Sequence, residues 1–201
     1  MNEKFWDLKK AKQDNMINGS LKVFALNGFD HASTDEIVAE AGISKGLLFH
    51  YFYNKVGLYE FLAGYSARFA LVELNSELRR NETLPFFDLM EILAQSEAST
   101  VSIYPYLFLF LDRVREKSSD SGFEETGESL KLYTDKVASL VDSSILPGSM
   151  TANDAARLRH YLELIRSDTM ASFLRAGTFS PEKYLVSMLE AVRYFRNICG
   201  G

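Results

Sequence analysis

The 201-residue sequence predicts an all-α protein of about nine helices, and three observations carry that prediction. Apolar residues recur at helical spacing along most of the chain, and few runs alternate in the way a strand requires. Only four prolines occur, and they stand where helices start or break. Ser33, Ser44, Thr151 and Ser180 each precede a periodic apolar run and offer the side-chain oxygen that caps a helix N-terminus.

Taken in order, the first helix is expected over about 7–26, with Ile17, Leu21, Phe24 and Ala25 as its core stripe and Gly28 just past its end. Ser33, followed three residues later by Glu36, forms a capping box and starts the second. Gly42 accepts the positive φ that ends it, and Ser44 caps a third helix reaching Phe52. Ile37, Val38 and Ala41 on the first of this pair can meet Leu48 and Phe52 on the second, which is the layout of a helix-turn-helix. A long helix over about 54–80 should carry Leu58, Phe61, Leu62, Tyr65, Phe69 and Val72. Pro85 starts a helix to about 98, and Tyr104-Pro105 another to about 116. The segment 117–127, with three serines and two glycines, reads as a loop or frayed helix start, and a helix over about 128–142 follows. After a break at 143–149 containing Pro147-Gly148, Thr151 with Asp154 caps a helix to about 176, ended by Gly177. Ser180-Pro181 opens the last helix, to about 198. No internal repeat or low-complexity segment is present.

Composition narrows the function. Apolar content of 47% with 24% charged residues is that of a folded globular chain. The longest apolar run, 104–111, is too short to span a bilayer. The first residues lack the apolar stretch of a secretory signal, and the single cysteine, Cys199, fits a reducing compartment, so the expected location is cytoplasmic. Net charge is −5, and neither the first 60 residues nor the remainder is basic. Local placement of charge therefore has to decide whether nucleic acid is a partner. No acidic residue occurs over the 19 positions from Ala41 to Tyr59, in a chain with 27 acids, while Lys45, His50 and Lys55 all fall there. An acid-free turn and helix is what a phosphate-facing surface requires.

These same residues carry a resemblance. Thr34, Ile37, Ala41-Gly42-Ile43-Ser44-Lys45-Gly46, Phe49-His50-Tyr51-Phe52, Asn54-Lys55 and Leu58 resemble the N-terminal domain of the TetR family of transcriptional regulators, over roughly 45 residues. The resemblance implies a helix-turn-helix DNA-binding domain at 1–53 and a helical ligand-binding and dimerisation domain at 54–201. It also implies a homodimer on double-stranded DNA, most commonly a repressor released by a small molecule. Beyond Tyr65 it is one of helix pattern and length only. Four residues depart from the family pattern. Phe49 stands where a tyrosine is common, Val38 where a smaller residue is usual, and Val56-Gly57 where a more polar pair is usual.

The candidate residues follow from the motif. Base contacts are expected from the N-terminal face of the second motif helix: Lys45, Gly46, Leu47 and His50. Phosphate contacts are expected from Thr34, Ser44, Tyr51 and Lys55, through hydroxyls, an ammonium and helix N-terminal amides. Lys4, Lys9, Lys10 and Lys12 form either a DNA-reaching arm or a solvated N-terminus. Of the C-terminal aromatics, most are core, and the resemblance implies that a subset (Tyr65, Phe69, Phe87, Phe108, Tyr133 and Phe173) lines a ligand pocket, with an apolar or aromatic ligand favoured. In the last helix, Leu185, Met188, Leu189, Val192 and their apolar neighbours span about 180°, more than the roughly 100° a helix packed on one side requires. The preceding helix has a second apolar patch with Met170 and Leu174. Together these two helices are the expected dimer interface. No catalytic constellation, metal-ligand spacing or cofactor motif appears: the three histidines, His31, His50 and His160, lie in separate elements. The rival readings are a helical ligand-binding or enzymatic domain with a vestigial helix-turn-helix, and a constitutive repressor without ligand.

Overall fold

The computed structural model describes residues 3–78, 83–148 and 150–199. Among these, a short 3-10 helix, Glu3–Asp7, precedes nine α-helices: α1 (Lys10–His31), α2 (Thr34–Ala41), α3 (Lys45–Phe52), α4 (Lys55–Glu77), α5 (Phe86–Ile103), α6 (Leu107–Lys117), α7 (Glu124–Asp142), α8 (Ala152–Arg175) and α9 (Pro181–Cys199). Extended pairing among the described residues is limited to an isolated bridge between Pro85 and Ile145. The all-α prediction holds.

The chain folds into two compact units. One combines Met1–Arg68 with Tyr104–Leu132, the other Phe69–Ile103 with Tyr133–Gly201. Along the sequence, α4 and α7 each belong partly to both. The expected functional division after residue 53 falls inside the first unit.

In the first unit, Ile17, Leu21, Phe24 and Ala25 of α1 are buried, as are Ile37 and Ala41 of α2, Leu48 and Phe52 of α3, and Leu58 and Leu62 of α4. Close approach of α1 to α2 depends on Gly19, where an added Cβ would lie 2.7 Å from the backbone nitrogen of Ala41. In the second unit, Phe86, Phe87, Leu89, Met90 and Leu93 of α5 form one core with Val137, Val141, Leu158, Leu162 and Val192.

Several boundaries differ from those expected. Helical residues continue after Gly28, which breaks α1 at φ 70°, and Ala32 closes the extra turn by donating to the Gly28 carbonyl. α5 runs five residues past its expected end, to Ile103. α7 begins at Glu124 rather than 128, with Glu124 and Glu125 in a first turn that favours negative charge. Val72, carried on α4 as expected, is 62% exposed. The expected end of the long helix at 80 and Ser149 of the break lie outside the described residues.

Candidate nucleic-acid interface

The motif is held by local hydrogen bonds that its sequence dictates. Ser33 Oγ accepts from the Glu36 amide at 3.1 Å, and Glu36 Oε2 accepts in return from the Ser33 amide at 3.2 Å. Gly42 takes φ 64°, a left-handed conformation in which a side chain is unfavourable, and its amide and that of Ile43 close on the carbonyls of Ala39 and Val38. Ser44 Oγ then accepts from the Leu47 amide at 3.2 Å and starts α3. These bonds fix the direction in which the first turn of α3 leaves the motif.

On that turn Lys45 and Gly46 are exposed and Leu47 is half-buried; His50 is exposed one turn later. A Cβ built on Gly46 would meet nothing within 4 Å, so packing within the chain supplies no reason for a glycine there. Glycine in a helix costs about 0.5–1 kcal/mol relative to alanine. Lys45 Nζ is hydrogen-bonded to both carboxylate oxygens of Asp35, at 2.9 and 3.2 Å.

The expected phosphate contacts are less uniform. Ser44 is exposed and Thr34 half-buried in the first turn of α2. Tyr51 is buried, its ring edge-on to Phe5 with centroids 5.7 Å apart and to His50 at 4.9 Å. Lys55 differs most from expectation: its ammonium points into the fold, donating to the carbonyls of Phe29 at 2.8 Å and Ala32 at 3.1 Å and lying 4.4 Å from the Phe29 ring centre. The last carbonyls of a helix attract a cation, which explains the orientation.

Every carboxylate between Asp30 and Glu40 is engaged. Asp30 pairs with Lys117 at 2.9 Å, and that ammonium holds the Asp30 carboxyl below its ordinary value of 3.8. Asp35 holds Lys45, Glu36 completes the capping box, and Glu40 pairs with Lys22 at 2.7 Å. The hydrogen bond to Glu40 raises the Lys22 pKa above its ordinary 10.5. The acid-free helix is thus bordered by acids that each have a partner within the chain.

Three features escaped the sequence reading. Phe5 is fully buried among Trp6, Tyr51, Phe52 and Phe61, so the N-terminal segment packs against α3 and α4 as part of the fold. Tyr53, 65% exposed, has φ 62° and lies inside a tight turn closed by the Asn54 amide on the Phe52 carbonyl at 2.7 Å. Asn54 in turn caps α4 by accepting from the Gly57 amide at 2.8 Å. An added Cβ on Gly57 would lie 2.6 Å from the Phe52 carbonyl oxygen, so a side chain at this position would require the turn to shift.

The C-terminal candidates separate by unit. Tyr65 and Phe108 lie in the first, where the Tyr65 hydroxyl is 2.7 Å from that of Tyr104 and Phe108 is buried. Phe69, Phe87, Tyr133 and Phe173 lie in the second; Phe87 belongs to its core and Tyr133 packs against it. In the same unit the Tyr184 hydroxyl donates to Glu97 at 2.5 Å, and Arg166, almost fully buried, lies 3.9 Å from the same carboxylate. Burial raises the pKa of both the Tyr133 and Tyr184 hydroxyls. Of the six residues expected at a dimer interface, Met170, Met188 and Val192 are buried within the chain itself, because α9 packs against α5 and α8. Leu174, Leu185 and Leu189 are half-buried. The large apolar side chains that α8 and α9 leave exposed are Tyr161, Leu164, Val186, Tyr194 and Ile198.

Among the described residues, no helix is long and apolar enough to cross a membrane, and no group of three or more His, Cys, Asp or Glu could hold a metal ion. Residues 16–62 match the family model for bacterial regulatory proteins of the tetR family. No curated protein matches the chain. Among solved structures, a TetR family transcriptional regulator from Chloroflexus aurantiacus J-10-FL is similar with a TM-score of 0.66 and 20% identity, over 98% of this chain and 95% of that one. A TetR-like transcriptional regulator from Rhodococcus sp. RHA1 gives 0.61 and 18%, over 96% and 100%. The regulator FadR from Bacillus subtilis, solved in complex with stearoyl-CoA, gives 0.58 and 16%, over 89% and 96%. At these identities the likeness is one of fold. The chain therefore carries, at residues 16–62, the helix-turn-helix domain of the tetR family of bacterial regulatory proteins, set in the fold of TetR-family transcriptional regulators.

Proposed function

We propose that this chain is a ligand-responsive repressor that binds a palindromic operator as a cytoplasmic homodimer, without enzymatic activity. The observation that carries the DNA reading is Gly46. It is an exposed glycine in the first turn of α3 with open space where a side chain would stand, in an acid-free helix bordered by engaged carboxylates. Such a position lets a groove edge approach the backbone. Lys45, Leu47 and His50 supply base-edge groups, and Thr34 and Ser44 supply phosphate donors. Lys55 contributes by holding α4 against the end of α1.

The dimer reading rests on Tyr161 and Leu164 of α8 and on Val186, Tyr194 and Ile198 of α9, with the half-buried Leu174, Leu185 and Leu189 beside them. Five large exposed apolar side chains on two adjacent helices are what a second copy would cover. The ligand reading rests on the second unit. Buried ions in a helical core are costly, and Glu97, Arg166 and Tyr184 lie near Tyr133, which packs against the aromatic core. The stearoyl-CoA bound by the Bacillus subtilis FadR supports a ligand with a long apolar part. α4 is common to the motif and to the second unit, and a ligand that shifts it would alter the spacing of two α3 helices. Half-sites one turn apart require roughly 34–36 Å.

The test is to select duplexes from a random pool with the wild-type protein, then titrate long-chain acyl-CoA with and without the selected duplex. A coupling of about 1–3 kcal/mol would lower each affinity about 5- to 150-fold in the presence of the other. Equal dissociation constants in both titrations would leave a DNA binder with no switch for this ligand.

A further inference from the structure

We propose that Asp35 and Lys45 act as a single reader of one G·C base pair in the major groove, an inference that rests on the DNA-binding reading above. The two residues are ten apart in sequence, in the first turn of α2 and at the first residue of α3, and the turn between these helices sets them side by side. Their side chains are 77% and 48% exposed, and Lys45 Nζ lies 2.9 Å from Asp35 Oδ1.

The fold gives this acid only the modest stabilisation of a negative charge in the first turn of a helix. An exposed ion pair contributes almost nothing to stability. The α2 cap is completed by Ser33 and Glu36 without Asp35. On a surface that meets phosphates, an extra carboxylate weakens binding to every sequence unless a donor awaits it.

A G·C pair supplies that donor. Its major-groove edge presents guanine N7 and O6 as acceptors and the cytosine N4 amino group as a donor. O6 and N4 are joined by a Watson–Crick N–H···O bond, so they lie about 2.9–3.0 Å apart. That is the spacing between Lys45 Nζ and Asp35 Oδ1. Lys45 donating to O6 while Asp35 accepts from N4 closes a ring of hydrogen bonds without breaking the ion pair. Reversing the pair to C·G sets donor against donor and acceptor against acceptor, and A·T in the same sense does likewise. A T·A pair offers O4 and N6 in the right order, but puts the thymine methyl group where the ammonium would find N7.

The experiment measures binding of the wild type and of Asp35→Ala, Asp35→Asn, Lys45→Ala and the double alanine variant to a selected duplex and to its single base-pair substitutions. Melting curves confirm that each variant folds. The wild type should require G·C at one position in each half-site by about 5- to 150-fold. Asp35→Ala and Lys45→Ala should each relax that same position and no other, and the double variant should relax it no further. Asp35→Asn, which keeps a carbonyl acceptor, should retain part of the preference. The inference is overturned if Asp35→Ala tightens binding to all duplexes alike with preferences unchanged, since Asp35 would then be only a repelling charge. Relaxation at two different positions overturns it equally. A wild type that selects no duplex overturns the DNA reading beneath it.

Discussion

The ammonium of Lys55 donates to the carbonyl oxygen of Phe29 at 2.8 Å and sits 4.4 Å from the centre of its ring. Together with the bond to Ala32, this makes Lys55 a clasp between the start of α4 and the end of α1. Lys55→Met, which keeps the stem and removes the charge, should lower the unfolding free energy by about 1.5–3 kcal/mol, because hydrogen bonds to a charged group are lost. Chemical denaturation measures this directly. A variant as stable as the wild type that has lost one unit of salt slope in DNA binding would return Lys55 to the phosphate role its sequence position suggests.

Phe5 should behave as a core residue although it lies five positions from the start of the sequence. Phe5→Ala removes a fully buried ring that touches Trp6, Tyr51, Phe52 and Phe61, and should cost about 3–5 kcal/mol. Thermal unfolding of the variant checks it. A change under about 1 kcal/mol, the range of ordinary surface substitutions, would mean that the N-terminal segment is not docked as described.

What the sequence disclosed and what it concealed divide by range. The capping boxes Ser33–Glu36 and Thr151–Asp154 and the positive φ of Gly42 depend on neighbours within a few residues, and the structure has all three as expected. Lys55 could not be oriented from sequence, because the carbonyls it seeks lie 26 and 23 positions earlier. The role of Asp35 is not legible in the sequence for the same reason, its partner being ten residues away across a turn. In α9, periodicity registered that the apolar arc was too wide for one contact. It carries no information on which side its own chain covers, and Met188 and Val192, expected on the partner face, are buried within the monomer.

That distinction makes the dimer testable at single positions. Leu164→Glu and Val186→Glu place a charge on exposed apolar positions, and should give folded monomers with weakened DNA binding. Val192→Glu places it in the core of the second unit and should unfold the chain instead. Sedimentation at micromolar concentration distinguishes the outcomes. A wild type that is already monomeric there would remove the dimer from the account.

The α8 cap gives a pH dependence of defined sign. Hydrogen bonds from the Thr151 hydroxyl and amide hold the Asp154 carboxyl below its ordinary value of 3.8. A depressed carboxyl contributes stability that is fully present above the unfolded value and lost as pH falls through the folded one. The melting temperature of Asp154→Ala should therefore lie below that of the wild type at pH 7, and the gap should narrow as pH drops below 3.8. A gap that stays constant or widens in acid would contradict the cap's titration.

The account's central claim is that the first turn of α3 meets DNA through its backbone, and Gly46→Leu tests it most directly. A leucine there enters open space and replaces glycine in a helix with a good helix former, so the variant should melt at the same temperature or higher. The same side chain would stand between α3 and the groove. Affinity for the duplex selected by the wild type should fall at least about tenfold, a loss of about 1.4 kcal/mol. A stable Gly46→Leu variant that binds this duplex as tightly as the wild type would contradict the placement of α3 at the DNA.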